Sequence, residues 1–163
     1  MEADYSNFFN QEDQTFYHGS NCVVQNPQIL IQGFTKDFGY AFYCTNILAQ
    51  AKKWALTRKG ASIVNKYRYT PNPELQVLSF QEMTEDWLDF LVDCRRDIPH
   101  NFDIVKGPMG DDQIWDYVDD LVNGTISRKA FWELAKFKYP THQIAFCTER
   151  SLSYISFKGV IYV

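Results

Sequence analysis

No stretch of this chain stays apolar for the roughly 18 residues that a bilayer-spanning helix needs, so membrane insertion is not expected. Residues 1–14 are polar and acidic, unlike a secretory signal, and cytoplasmic residence with reduced thiols fits best, with delivery into a target cell by a route that uses no cleavable signal as the alternative. The four cysteines form no CxxC pair and have no histidine at zinc-ligand spacing, which excludes a structural zinc site. No calcium-loop spacing is present, and no metal is expected. Basic residues are not in excess: the net charge is −4. A protein that grips nucleic acid through its phosphates is usually basic, so avid non-specific binding is excluded. Neither GxGxxG nor GxxxxGK[ST] occurs, which removes the doubly wound dinucleotide fold and the P-loop. HExxH is missing too, and the three histidines, His18, His100 and His142, lie far apart.

What is abundant is aromatic surface, at 17% of the chain, beside 45% hydrophobic and 22% charged residues. That is the composition of a folded protein, and 163 residues suffice for one domain with a sizeable core. Residues 1–13 read as a polar, frayed leader and residues 14–163 as the single domain. Two basic clusters, Lys52, Lys53, Arg58, Lys59 and Arg128, Lys129, Lys136, Lys138, read as solvated helix faces, with a locally basic mouth as the alternative.

The pattern predicts a strand over 15–18, then a loop over 21–38 broken by the apolar run 29–31. A strand follows over 41–45, and Thr45 or Asn46 caps a helix with Ile47, Leu48, Ala51, Trp54 and Ala55 on one stripe. Strands over 62–69 and 75–80 come next, the first with one wet face. Thr84 caps a second helix closing near Arg96. Residues 103–106 read as a brief strand stopped by Gly107-Pro108. Asp111 and Asp112 open a third helix, and Ser127 caps a fourth to about Phe137. A strand over 143–148, a helical turn over 149–154, and strands over 154–157 and 160–163 complete the chain. Short strands interrupted by helices indicate an α+β fold. Asp103, Asp111 and Asp112 read as a turn and helix-start acids, with an acidic rim as the alternative.

Two segments carry chemistry. Tyr17-His18-Gly19-Ser20 ends the first strand, and Gly39-Tyr40-Ala41-Phe42-Tyr43-Cys44-Thr45 runs into the first helix. A strand-end histidine beside a glycine presents an imidazole and bare main chain to one ligand, and an aromatic on the next strand offers a flat stacking surface.

These segments resemble the His-Tyr half of the diphtheria-toxin and poly(ADP-ribose) polymerase signature. More closely, the chain resembles a bacterial group, the domain of unknown function 3990 family. The shared features are Tyr17–Ser20, Lys36-Asp37-Phe38-Gly39 with Phe42-Tyr43, Trp54 within 51–55, Val77-Leu78, and Glu85-Asp86-Trp87-Leu88. Asp103-Ile104-Val105 with Gly107-Pro108 and Asp111-Asp112, and Gln143 with Phe146 and Thr148-Glu149, complete the set. The resemblance implies a split β-sandwich with flanking helices that holds NAD⁺ as co-substrate. His18 would bond the adenosine ribose, Gly19 the nicotinamide carboxamide through its main chain, and Tyr43 would stack on the nicotinamide. Tyr17 and Ser20 support the first motif, and Asp37 lines the dinucleotide site or faces solvent.

The third element is an acid in the polymerase-like group. Here Gln143 opens that strand, giving His-Tyr-Gln, and Glu149 is the nearby alternative. Six extended residues span about 20 Å at roughly 3.3 Å each, so the two do not serve one ribose, and position favours Gln143. An amide orients a ribose hydroxyl but stabilises a cationic centre less than a carboxylate does. The implied activity is mono-ADP-ribosyl transfer to a macromolecular acceptor, a protein rather than a nucleic acid. Bacterial relatives of this kind often act as toxins or effectors, some beside a small neutralising partner. The alternatives are an NAD⁺ glycohydrolase and a non-catalytic module that binds ADP-ribose or a protein.

Overall fold

The computed structural model describes residues 14–31, 37–109, 112–136 and 141–163. The leader over 1–13, Lys36, Asp111, Lys138 and the helix end at Phe137 lie outside the described residues. Within them the chain runs β1 (Thr15–Ser20), β2 (Phe42–Cys44), α1 (Leu48–Leu56), β3 (Ile63–Tyr69), β4 (Val77–Ser79) and α2 (Glu85–Arg95). It continues through β5 (Ile104–Met109), α3 (Asp112–Val122), α4 (Arg128–Ala135), β6 (Thr141–Phe146), α5 (Glu149–Leu152) and β7 (Ile155–Tyr162). The expected mixed α+β class is what forms. One sheet has the order β1-β3-β7, the other β2-β6-β5-β4. Among the described residues no helix is long and apolar enough to cross a membrane.

Both sheets contribute to one central cluster. Phe16, Tyr67 and Tyr69 come from the first, Phe42, Ile104, Ile144 and Phe146 from the second. A second cluster lies where Trp87, Leu88, Leu91, Ile114, Val118 and Phe131 of α2, α3 and α4 pack with Tyr43, Val105 and Ala145 of the second sheet. A third sets Ala51 and Ala55 of α1 against Val64 of β3. The sheets are joined where Tyr17 and Thr45 exchange two main-chain bonds of 2.7 and 2.9 Å.

That bridge corrects the expected start of α1. Thr45 spends its backbone on Tyr17, so the helix begins later, with Ile47 at the N-cap position and no side-chain cap. The Thr45 hydroxyl instead accepts the Ile47 N–H at 3.1 Å. By contrast Thr84, Ser127 and Thr148 each accept a main-chain N–H as caps of α2, α4 and α5.

Gly107-Pro108 does not stop β5, which runs through to Met109. The Lys106 carbonyl accepts from Phe80, so Lys106 faces the β4 edge. Pro108, two residues on, turns its hydrogen-free nitrogen to the same edge, where β4 has already ended at Ser79, and no ladder bond is lost. Its carbonyl accepts the Trp87 indole N–H at 3.0 Å. The last strand is also continuous rather than double. Lys66 pairs with Gly159 and Tyr67 with Phe157, which leaves Lys158 as an extra residue, and Gly159 takes the positive φ of 134° at this bulge.

Asp103 is no acidic rim. Its buried carboxylate accepts from Gln76 N–H, the Thr148 hydroxyl and Arg150, at 2.9, 2.7 and 2.6 Å. The Arg150 hydrogen bond is the chief reason its carboxyl is held down at about 2. A depressed carboxyl contributes stability that is present above its ordinary value and is lost as pH falls through the folded one. Asp103→Asn should cost roughly 2 kcal/mol at neutral pH, and should flatten the loss of stability between pH 4 and 2 in denaturant titrations.

Candidate functional site

Alternation along β1 sorts the first motif onto two faces. Phe16 enters the central cluster, and His18 lies with its ring 4.4 Å from that of Phe42. Tyr17 packs with the α1 cluster. Gly19 faces α1 so closely that a Cβ there would sit 2.3 Å from Ala51 O. Since Tyr17 turns its N–H and C=O to Thr45, Gly19 turns its own to the same edge, on which β2 lies.

The His18 ring is fixed by its Nδ1, 2.7 Å from the Tyr43 main-chain oxygen. A carbonyl only accepts, so Nδ1 carries the hydrogen, and in the neutral ring Nε2 is the lone-pair nitrogen. Beside it opens a cavity of about 530 Å³ lined by His18, Ser20, Gly39, Tyr40, Tyr43 and Arg58, with Asn21, Asn26 and Gln28. Ligand pockets commonly fall between about 300 and 1,000 Å³. Arg58 is the one charged residue among the described residues that line it.

Tyr43 serves both sides of β2. Its carbonyl holds His18, while its ring is 7% exposed in the α2–α4 cluster. The phenol donates to Gly39 O at 2.5 Å and accepts the Phe38 N–H at 3.1 Å. Burial, and then the nearby Asp37 charge, push its ionisation well above the usual tyrosine range.

Asp37 and Gln143 do not line the cavity; they meet behind Tyr43. Asp37 is buried, paired with Arg95 at 2.8 Å, and accepts from Gln143 Nε2 at 3.4 Å. Arg95 also bonds Asp119 at 2.7 Å and lies 3.4 Å over the Trp115 ring. Gln143 is the third residue of β6, which begins at Thr141, not at Gln143. The extra residues belong to the pairing of Pro108 with His142 and Met109 with Thr141. Glu149 is exposed in the first turn of α5, away from the cavity lining. The predicted residues thus divide: His18, Ser20 and Tyr43 share the cavity, Tyr17 and the Gly19 α-carbon face α1, and Asp37 and Gln143 form a buried polar knot.

Two residues of this region escape a reading of the sequence. Asn65, fully buried in β3, donates to Cys22 O at 3.1 Å and His18 O at 3.4 Å and accepts the Val24 N–H at 2.8 Å. Its signal is that it is the one polar member of the inward set Ile63, Asn65, Tyr67, Tyr69. Arg95 falls on the Trp87, Leu88, Leu91 stripe at helical spacing, a cation on an apolar face. Among the described residues no three His, Cys, Asp or Glu side chains are grouped to hold a metal.

Fold and cavity define an α+β protein with a ligand-sized space between strands of its two sheets. The chain belongs to the family described as protein of unknown function (DUF3990), which it matches across residues 14–157. No curated protein and no solved structure matches it.

Proposed function

We propose that the chain is an NAD⁺-dependent mono-ADP-ribosyltransferase of the diphtheria-toxin and poly(ADP-ribose) polymerase kind, built on their split β-sandwich. The reading rests above all on the His18–Tyr43 bond, which brings the two motifs to one cavity wall. His18 Nε2 accepts a hydroxyl of the adenosine ribose. Gly19 offers its main chain to the nicotinamide carboxamide, and Arg58, in the cavity wall, faces the pyrophosphate. Stacking of Tyr43 on the nicotinamide requires its ring, packed in the α2–α4 cluster, to turn out to the cavity when the ligand binds; in the present arrangement Tyr43 reaches the cavity through its carbonyl and the turn its phenol holds. The bond from ribose C1′ to the nicotinamide nitrogen breaks, nicotinamide leaves with the bonding pair, and the acceptor attacks C1′ and loses a proton. Positioning supplies the catalysis and no protein nucleophile is needed. The acceptor is a macromolecule, a protein on grounds of the net charge of −4. An effector role in a cytoplasm, with a small neutralising partner, belongs to the same proposal.

A specific observation favours a second reading. No carboxylate lies among the described residues lining the cavity, and Gln143 is turned to Asp37. A cavity so built suits an ADP-ribose-binding module that leaves NAD⁺ intact.

Labelled NAD⁺ incubated with the chain in a whole-cell lysate, with and without protease and nuclease, separates these. Label on a protease-sensitive macromolecule supports transfer. Free ADP-ribose with nicotinamide indicates hydrolysis, and bound but intact NAD⁺ indicates the module. His18→Ala should lower nicotinamide release at least about 100-fold while the fold persists; unchanged release removes His18 from the site.

A further inference from the structure

The turn that carries the cavity wall is held from several sides. Arg95 and Gln143 grip the Asp37 carboxylate at 2.8 and 3.4 Å. The Tyr43 phenol takes Phe38 N–H and gives to Gly39 O. His100 accepts the Phe102 N–H at Nδ1, so its Nε2–H donates to Phe38 O at 3.1 Å. Directly after this turn, Gly39, Tyr40 and Ala41 line the cavity. Gln143 itself is 1% exposed and lines none of it.

A carboxylate only accepts hydrogen bonds, so the Gln143 amide must present its NH₂ to Asp37. A glutamate at 143 would set a second carboxylate against Asp37, with Arg95 already shared with Asp119. We infer that Gln143, together with Arg95, is a positioning residue that fixes the Gly39–Ala41 wall of the cavity through Asp37. Position 143 carries an amide because Asp37 holds the acid.

The ligand in the following test rests on the function proposed above; the wall itself is read without one. Hydrogen exchange of the free 163-residue chain is compared with Gln143→Glu, Gln143→Met and the swap Asp37→Asn with Gln143→Glu. In the swap the amide introduced at position 37 donates to the carboxylate introduced at position 143, and its oxygen accepts from Arg95. The pairing is then restored with reversed polarity.

Gln143→Glu should speed exchange across 38–41 about tenfold or more, Gln143→Met less, and the swap should return it near the starting rate. In NAD⁺ turnover the same order should appear in KM, with kcat changed by no more than about threefold. Unchanged exchange in Gln143→Glu overturns the inference, as does a swap no better than the single variant. A fall in kcat at constant KM also overturns it, since that marks a group touching the reacting centre. Absence of NAD⁺ binding by the unaltered chain, with exchange behaving as expected, overturns the ligand alone.

Discussion

Gly19→Ala should lower the melting temperature by about 6–12 °C, the shift expected for roughly 3 kcal/mol in a chain of this size. The added methyl group would lie 2.3 Å from Ala51 O and 2.7 Å from Ala55 N. Both are helix backbone, so neither swings away as a side chain tip would; α1 must move off β1 as a body. The shift would reach Leu48 and Val64 in the cluster beneath α1, and then the neighbouring His18. Gly107→Ala provides the internal comparison. Its nearest neighbours are the Phe80 Cβ at 3.1 Å and the Phe38 ring at 3.3 Å, which give by a few tenths of an ångström. Thermal denaturation of the two variants side by side should show Gly19→Ala as much the more damaging. Equal melting temperatures would mean that α1 sits on β1 with slack that these distances deny.

Gly19 also illustrates what a sequence discloses. The motif Tyr17-His18-Gly19-Ser20 is visible in it, and a glycine there implies close approach of something. What approaches the α-carbon is α1, itself legible from its stripe of Leu48, Ala51 and Ala55. Caps at Thr84 and Ser127 are legible because they depend on residues within one turn. Pro108 misleads because the tolerance of a strand for proline depends on which edge its nitrogen faces. That edge is set by where β4 ends, about 30 residues earlier. The knot behind Tyr43 is harder still. Asp37 and Gln143 are separated by 106 positions, and nothing local to either names the other. Arg95 alone leaves a mark, as a charge on the buried stripe of α2.

Tyr43→Ala should be the most damaging single change at the site, and for a reason that obscures its meaning. The ring packs in the α2–α4 cluster at 7% exposure. Its removal should cost about 3–5 kcal/mol, or roughly 6–20 °C in melting temperature. Lost turnover in such a variant would report collapse of the turn as readily as loss of a stacking surface. Tyr43→Phe separates the two. It keeps the ring and removes only the phenol, leaving Phe38 N–H and Gly39 O without their bonds to it. That should cost about 1–3 kcal/mol. If the ring's contribution is its flat face, Tyr43→Phe retains most nicotinamide release under conditions where it is folded, whereas Tyr43→Ala has none. If the hydroxyl acts chiefly by holding the Gly39–Ala41 wall, Tyr43→Phe should raise KM as Gln143→Glu does, with kcat preserved. Melting curves and nicotinamide release measured on the same preparations decide between them. A Tyr43→Phe variant that is folded, binds NAD⁺ normally and releases no nicotinamide would remove Tyr43 from the stacking role, and place the phenol itself at the reacting bond.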